Sequence, residues 1–173
     1  MNQDNQLIYR EQQKFTLLLR WLVYISMCLA VFLSILSLRQ MSFGQTSPGV
    51  KEILSVVLVG FGVPIAILVL FHLLKLETQV RPDGLYVRYY PFHIRFRKFS
   101  AGDLSECHAR QYKPIREFGG WGIRYGLFGK GKAYNVSGNK GVQLVFKDGK
   151  RLLIGSQKAE ELEEALRKIM EHK

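Results

Sequence analysis

The chain has 173 residues, 25 Lys and Arg against 14 Asp and Glu, a formal net charge of +11, and two cysteines. Cys28 lies inside an apolar run and Cys107 in the second half, too far apart by compartment to pair, and no C-x-x-C exists, which fits a reducing compartment. The length leaves room for one small domain beside any membrane segment, and a mean hydropathy of -0.01 averages two unlike halves.

Residues 1–14 read as an N-terminal tail. Two uncharged apolar runs follow, Trp21–Leu38 and Ile53–Leu74. A helix of roughly 17–25 residues crosses the ~30 Å hydrocarbon layer, so both runs predict transmembrane helices, over about 15–38 and 53–74. The first run follows Arg10, Lys14 and Arg20 but is longer than a signal-peptide core, and no small-residue cleavage site follows Leu38; it reads as a retained anchor. Within the second run Pro64 removes a backbone hydrogen bond and predicts a kink near Gly60. His72 lies at its end, an interfacial position. Ser26, Ala30 and Ser34 share one face of the first helix, and Ser55, Gly62 and Ala66 lie near one face of the second; small faces allow close approach in lipid. The connection Arg39–Glu52 contains Gly44, Ser47, Pro48 and Gly49, which suits a hairpin.

Arg10, Lys14, Arg20, Lys75 and Arg81 flank one side of this hairpin, and Arg39 and Lys51 the other. The positive-inside bias predicts a multi-pass protein of the cell membrane with both termini cytoplasmic. Residues 1–75 carry six basic and three acidic groups; residues 76–173 carry 19 and 11. The second half is therefore the more basic, and tethered to a membrane it is drawn to anionic headgroups by about 1 kcal/mol per Lys or Arg near the surface.

From Leu76 the period changes to two, and residues 76–173 predict a soluble β-rich domain. Glu77–Val80 and Leu85–Tyr90 flank the turn Arg81-Pro82-Asp83-Gly84. Ile94, Phe96 and Lys98 alternate with Arg95 and Arg97 as a third strand, and Ser105–Tyr112 forms a fourth before Pro114. The glycine-rich aromatic stretch Phe118–Gly131 reads as loop. Ala133–Val136 is a short strand, and Val142–Phe146 and Arg151–Ile154 form a hairpin on Asp148-Gly149. A final helix is N-capped by Ser156, with Glu160 and Glu161 in its first turn and Leu162, Ala165, Leu166, Ile169 and Met170 on its apolar face. Glu163–Arg167 and Glu164–Lys168 pair on its wet side. The whole predicts an α+β protein: a two-helix transmembrane hairpin, then a split β-barrel of about seven antiparallel strands capped by a C-terminal helix.

Three stretches carry a resemblance: Tyr112–Arg124 (YKPIREFGGWGIR), Ala133–Val142 (AYNVSGNKGV) and Asp148–Gln157 (DGKRLLIGSQ). In them the chain resembles uncharacterised prokaryotic membrane proteins that carry a bacterial pleckstrin-homology-like (PH-like) domain after two N-terminal transmembrane helices. The resemblance covers about residues 76–170 and implies the PH-like fold. It brings no activity and no ligand residues.

Catalytic chemistry finds little support. Asp83 and Asp148 belong to turns, and Glu77, Asp103, Glu106 and Glu117 form no pair spaced for acid/base work. Cys107 and His108 are adjacent and point to opposite faces of a strand, so they do not share a zinc. No metal or cofactor is expected. Asn135-Val136-Ser137 fits a glycosylation sequon, which a cytoplasmic domain does not use.

The Gly/Trp segment is the strongest lead, because Trp and Arg together are enriched at binding hot spots. Tyr112, Arg116, Glu117, Trp121, Arg124, Tyr134 and Asn135 are the candidate partner or ligand surface. The competing structural reading packs Trp121 into the core and pairs Glu117 with Arg124 or Arg116. Arg95, Arg97, Lys98 and Lys113, with Arg110 and Arg116, form a basic cluster of candidate headgroup contacts, or simply a solvated face. The expectation is a membrane-anchored, non-enzymatic interaction module facing a protein partner, an anionic lipid headgroup or a second copy. The alternatives are a small membrane enzyme using Cys107, His108 or Glu117 and, ranked last, a nucleic-acid binder, since the basic stripe lacks the aromatic pattern of RNA readers.

Overall fold

The computed structural model describes residues 7–15, 17–43, 49–126 and 129–171. It is a mixed α+β structure that divides into two units, one formed by residues 15–73 and the other by 1–14 with 74–173.

The first unit is helical. Helix α1 (Leu17–Phe43) is followed by α2 (Val50–Val57), a π-turn over Leu58–Gly62 and α3 (Val63–Leu73). The last three join into one continuous helix, Val50–Leu73, of 24 residues; among the described residues it alone is long and apolar enough to cross a membrane. In α1 the apolar stretch is shorter, Val23–Ser37. Pro64 explains the π-turn. Its ring displaces the preceding turn, and the Val63 N–H reaches back to the Leu58 carbonyl instead. The two helices pack antiparallel, with Phe15 and Phe71 rings 5.3 Å apart at one end. The close approach uses Ser34 and Gly60, where an added Cβ would collide with the serine side chain. Gly44, Ser47 and Pro48 of the expected hairpin connection lie outside the described residues.

The second unit holds two sheets. Strands β1 (Tyr9–Lys14), β2 (Lys75–Arg81), β3 (Gly84–Tyr90) and β4 (Arg97–Ser100) form the first, antiparallel in that order. The second has the order β5-β8-β9-β7-β6, with β5 at Leu104–Gln111, β6 at Gly122–Tyr125, β7 at Lys132–Asn135, β8 at Lys140–Phe146 and β9 at Arg151–Gly155. A short helix, α4 (Pro114–Phe118), follows β5, and α5 (Ala159–Glu171) ends the chain. Leu162, Leu166 and Ile169 of α5 are buried, and the helix packs against strands of both sheets.

Several expectations are corrected. The strands number nine among the described residues, not about seven, and β7 runs parallel to β9. The tail does not end at the helices: residues 9–14 form β1 and belong to the β unit. Polar Glu11 and Gln13 point inward beside Tyr9, so the strand shows no apolar alternation. The third strand begins at Arg97, because Pro91 starts a loop and the ladder resumes only at Val87–Arg97. The loop expected over Phe118–Gly131 contains β6, an edge strand hidden by the glycines around it, Gly119, Gly120, Gly122 and Gly126.

Ser156 does not cap α5, which starts at Ala159. Its Oγ accepts the Lys158 N–H at 3.0 Å and donates to Glu11 at 2.6 Å. Glu11 also accepts the Tyr9 hydroxyl and the Gln157 N–H, at 2.8 and 2.9 Å. The N-terminal strand is thereby fastened to the β9–α5 junction through one buried carboxylate.

Candidate functional site

The chain gathers cations where the two sheets meet. Turn residues Asp148 and Gly149 bring Lys150 and Arg151 to the start of β9, and β4 supplies Arg97, Lys98 and Phe99 from the other sheet. With Lys132 and Tyr134 of β7, Phe146 of β8 and Leu152 of β9 these residues line a pocket of about 500 Å³. Its floor is aromatic: the Phe99 and Phe146 rings lie 5.7 Å apart across the seam. The Arg97 guanidinium donates to the Tyr134 hydroxyl at 3.3 Å. The Lys132 ammonium stands 5.0 Å from the Tyr125 ring and 5.1 Å from that of Tyr134. Burial pulls that ammonium down, but the two tyrosine oxygens outweigh it and its pKa is raised.

Compensation distinguishes these five cations. Lys98 is paired with Asp83 and Lys150 with Asp148, both at 2.6 Å. Among the described residues Arg97, Lys132 and Arg151 have no carboxylate partner. His93 packs edge-on against Tyr134, 5.5 Å between rings. Burial lowers its pKa, helped by the charges of Arg97 and Lys132. The pocket therefore carries a local surplus of positive charge over an apolar floor.

The expected headgroup contacts divide. Arg97 and Lys98 line the pocket; Arg95 is exposed in the loop before β4, and Lys113 is exposed ahead of α4. The expected partner surface does not form. Tyr112 and Asn135 are core residues, 3% and 0% exposed. The Tyr112 ring meets Phe118 at 6.0 Å, and Asn135 Oδ1 accepts the Gly122 N–H at 2.9 Å. Tyr134 is 1% exposed and meets the pocket cations through its hydroxyl, at Arg97, and its ring, at Lys132. Arg116 is exposed on α4. Trp121 is half-buried rather than in the core, and donates from Nε1 to the Gly138 carbonyl at 3.0 Å. Arg124 folds onto the Trp121 carbonyl, also at 3.0 Å. Gly119, at φ 71°, ends α4 in the left-handed conformation, and its N–H returns to the Ile115 carbonyl.

Glu117 pairs with neither Arg124 nor Arg116. Its carboxylate accepts the Lys113 N–H at 2.8 Å and bridges to Arg110 and Lys130 at 3.0 and 3.6 Å. Burial raises its pKa, but these partners outweigh that and hold it low. Cys107 is buried and His108 exposed on alternate faces of β5. Burial pushes the Cys107 thiol up, away from a thiolate nucleophile. His108 shares one surface pocket with Cys107 and another with Glu117, whose carboxylate is held by Arg110 and Lys130.

Lys132, Lys150, Arg151, Phe99 and Phe146 were not legible as site residues, since they come from β4, β7, β8 and the β8–β9 connection with the start of β9. A partial signal existed: in β4, Arg97 and Phe99 alternate to one side.

No curated protein and no solved structure matches this chain. One family model does, over residues 1–171, so the chain belongs to DUF6141, a family of unknown function.

Proposed function

We propose that the chain is a membrane-anchored, non-enzymatic binding module whose PH-like β unit offers the seam pocket to an anionic group at the inner leaflet. The observation that carries this is a register. Lys14, the last residue of β1, is paired with Lys75, the first of β2. The chain thus leaves the sheet and returns to it at one point. If Val50–Leu73 crosses a bilayer once, the return to that point requires a second crossing, and α1 is the helix available for it. At 1.5 Å per residue its 27 residues extend about 40 Å, more than the hydrocarbon layer needs. Both helices turn large apolar side chains outward, among them Ile25, Phe32, Leu58 and Ile65, each more than half exposed; lipid is the solvent that suits such a surface. Two sheets with a terminal helix against both support the PH-like reading.

Two experiments test this. In a chain with Cys28 and Cys107 replaced by Ser, Ser47→Cys should react with an impermeant maleimide on intact cells, and Asp148→Cys only after permeabilisation. Labelling of both from the same side sinks the anchor. Lys132→Gln with Arg151→Gln should weaken inorganic pyrophosphate binding by about tenfold, in line with two lost charge-assisted contacts. Undiminished affinity removes the pocket.

A further inference from the structure

The loop Pro91–Phe96 joins β3 to β4 at one particular end of the first sheet. Tyr90, the last residue of β3, is the register partner of Lys75, which is itself opposite Lys14. The loop therefore begins beside the two residues at which the chain departs for, and comes back from, the apolar helices. It is held from within. The His93 N–H donates to the Tyr89 carbonyl at 2.7 Å, and the His93 ring packs on Tyr134. Phe96 lies under the Arg88 guanidinium, 4.5 Å from its ring centre. Those anchors leave the intervening residues outside: Phe92 is 62% and Ile94 is 77% exposed. Burying such side chains is favourable, and the loop's internal contacts keep both of them outside. Arg95 stands exposed next to Ile94, with Arg97 and Lys98 close behind.

We propose that this loop is an interfacial wedge for an anionic lipid surface. Phe92 and Ile94 enter the boundary between headgroups and acyl chains, and Arg95 remains at the level of the lipid phosphates. Three features on the molecule favour lipid over a protein partner: the apolar pair, the adjoining positive charge, and the register beside Lys14 and Lys75, the residues that lead along the chain to the apolar segment. The proposal rests on the membrane-anchored reading above and adds a third restraint to it. With two chain connections and one inserted loop, the β unit cannot tilt freely on the bilayer.

The test uses the full chain in phospholipid vesicles, with tryptophan fluorescence as the depth gauge. One variant keeps Trp21 alone (Trp121→Phe), one keeps Trp121 alone (Trp21→Phe), and one carries Phe92→Trp with both native tryptophans replaced by Phe. Lipid brominated high on the acyl chain should quench the Phe92→Trp reporter about twofold more than Trp121, and aqueous iodide should quench it correspondingly less. Adding Arg95→Glu should reduce the lipid quenching in anionic vesicles and spare it in zwitterionic ones. If iodide quenches the reporter and bromolipid does not, while bromolipid quenches Trp21, the wedge is overturned and the anchor stands. If bromolipid quenches neither, the anchor itself is overturned. Ile94→Trp repeats the measurement should Phe92→Trp not fold.

Discussion

Two places in the β unit gather positive charge, and they are built on opposite plans. Around Glu77, a carboxylate 3% exposed on β2, Lys75 and Arg88 close in from the flanking positions. Every charge there has an opposite within the cluster. Burial alone would raise the Glu77 pKa; hydrogen bonds and charge from Lys75 and Arg88 outweigh it and hold the acid low. In the seam pocket Asp83 and Asp148 answer two of five cations, and among the described residues Arg97, Lys132 and Arg151 have no carboxylate partner. The first cluster is a device of the fold, because its satisfaction is internal. In the second, Arg97 and Arg151 are exposed and left to water, the condition under which an external anion can pair with them. In the first cluster both cations share one carboxylate; in the second, three of five have none.

That contrast can be broken, and the largest effect should come from the internal cluster. Glu77→Ala should lower the unfolding free energy by about 2–3 kcal/mol, the scale of hydrogen bonds to a charged group, with both cations regaining only part of their hydration. Chemical denaturation in detergent checks it, and a loss under half a kcal/mol would contradict the plan. The sign with pH follows from the depressed acid. Its contribution is complete above the ordinary value of 4.5 and fades as pH falls through the folded one. Glu77→Gln should lose that acid dependence.

Glu11→Gln should cost less, about 1–2 kcal/mol. One charged acceptor serving Tyr9, Ser156 and Gln157 is replaced by a neutral one. Amide exchange should accelerate in β1 before it does in β3; equal rates in both would show that Glu11 does not hold the strand.

His93 gives a smaller effect in the opposite cluster. Its folded pKa is lowered by burial, then by Arg97 and Lys132, so the unfolded chain takes a proton more readily. Stability should be complete above about pH 6.5 and decline as pH drops below it, until the folded value is passed. His93→Gln should flatten the melting temperature across that window. An anion bound in the pocket should flatten it too, by offsetting the two neighbouring cations.

The smallest effect is expected where charge is unpaired. Arg151→Gln should change the unfolding free energy by no more than about 0.5 kcal/mol, since this exposed residue answers no carboxylate. A destabilisation comparable to that of Glu77→Ala would make the pocket structural.

Much of the fold was legible locally. The Arg81–Gly84 turn, the Asp148-Gly149 hairpin and the apolar face of α5 lie where their residue patterns put them, because each depends on neighbours within a few positions. The pairs Glu163–Arg167 and Glu164–Lys168 form as their helical spacing requires. β1 was not legible, because its inward side chains include a glutamate and a glutamine whose partners lie more than 140 residues away. Tyr112 and Asn135 looked like surface groups because each carries a polar atom. Their burial depends on sheet closure, which no local pattern announces.

By itself the sequence determined an apolar helical segment, a β-rich basic half and an amphipathic last helix, for their signals are periodicities read along a short stretch of backbone. Only the tertiary structure decided that residues 9–14 join the β unit, and that Arg97 meets Lys132 and Arg151. Those meetings are made by strands distant in the chain but adjacent in space, and no local period encodes which cation ends beside which.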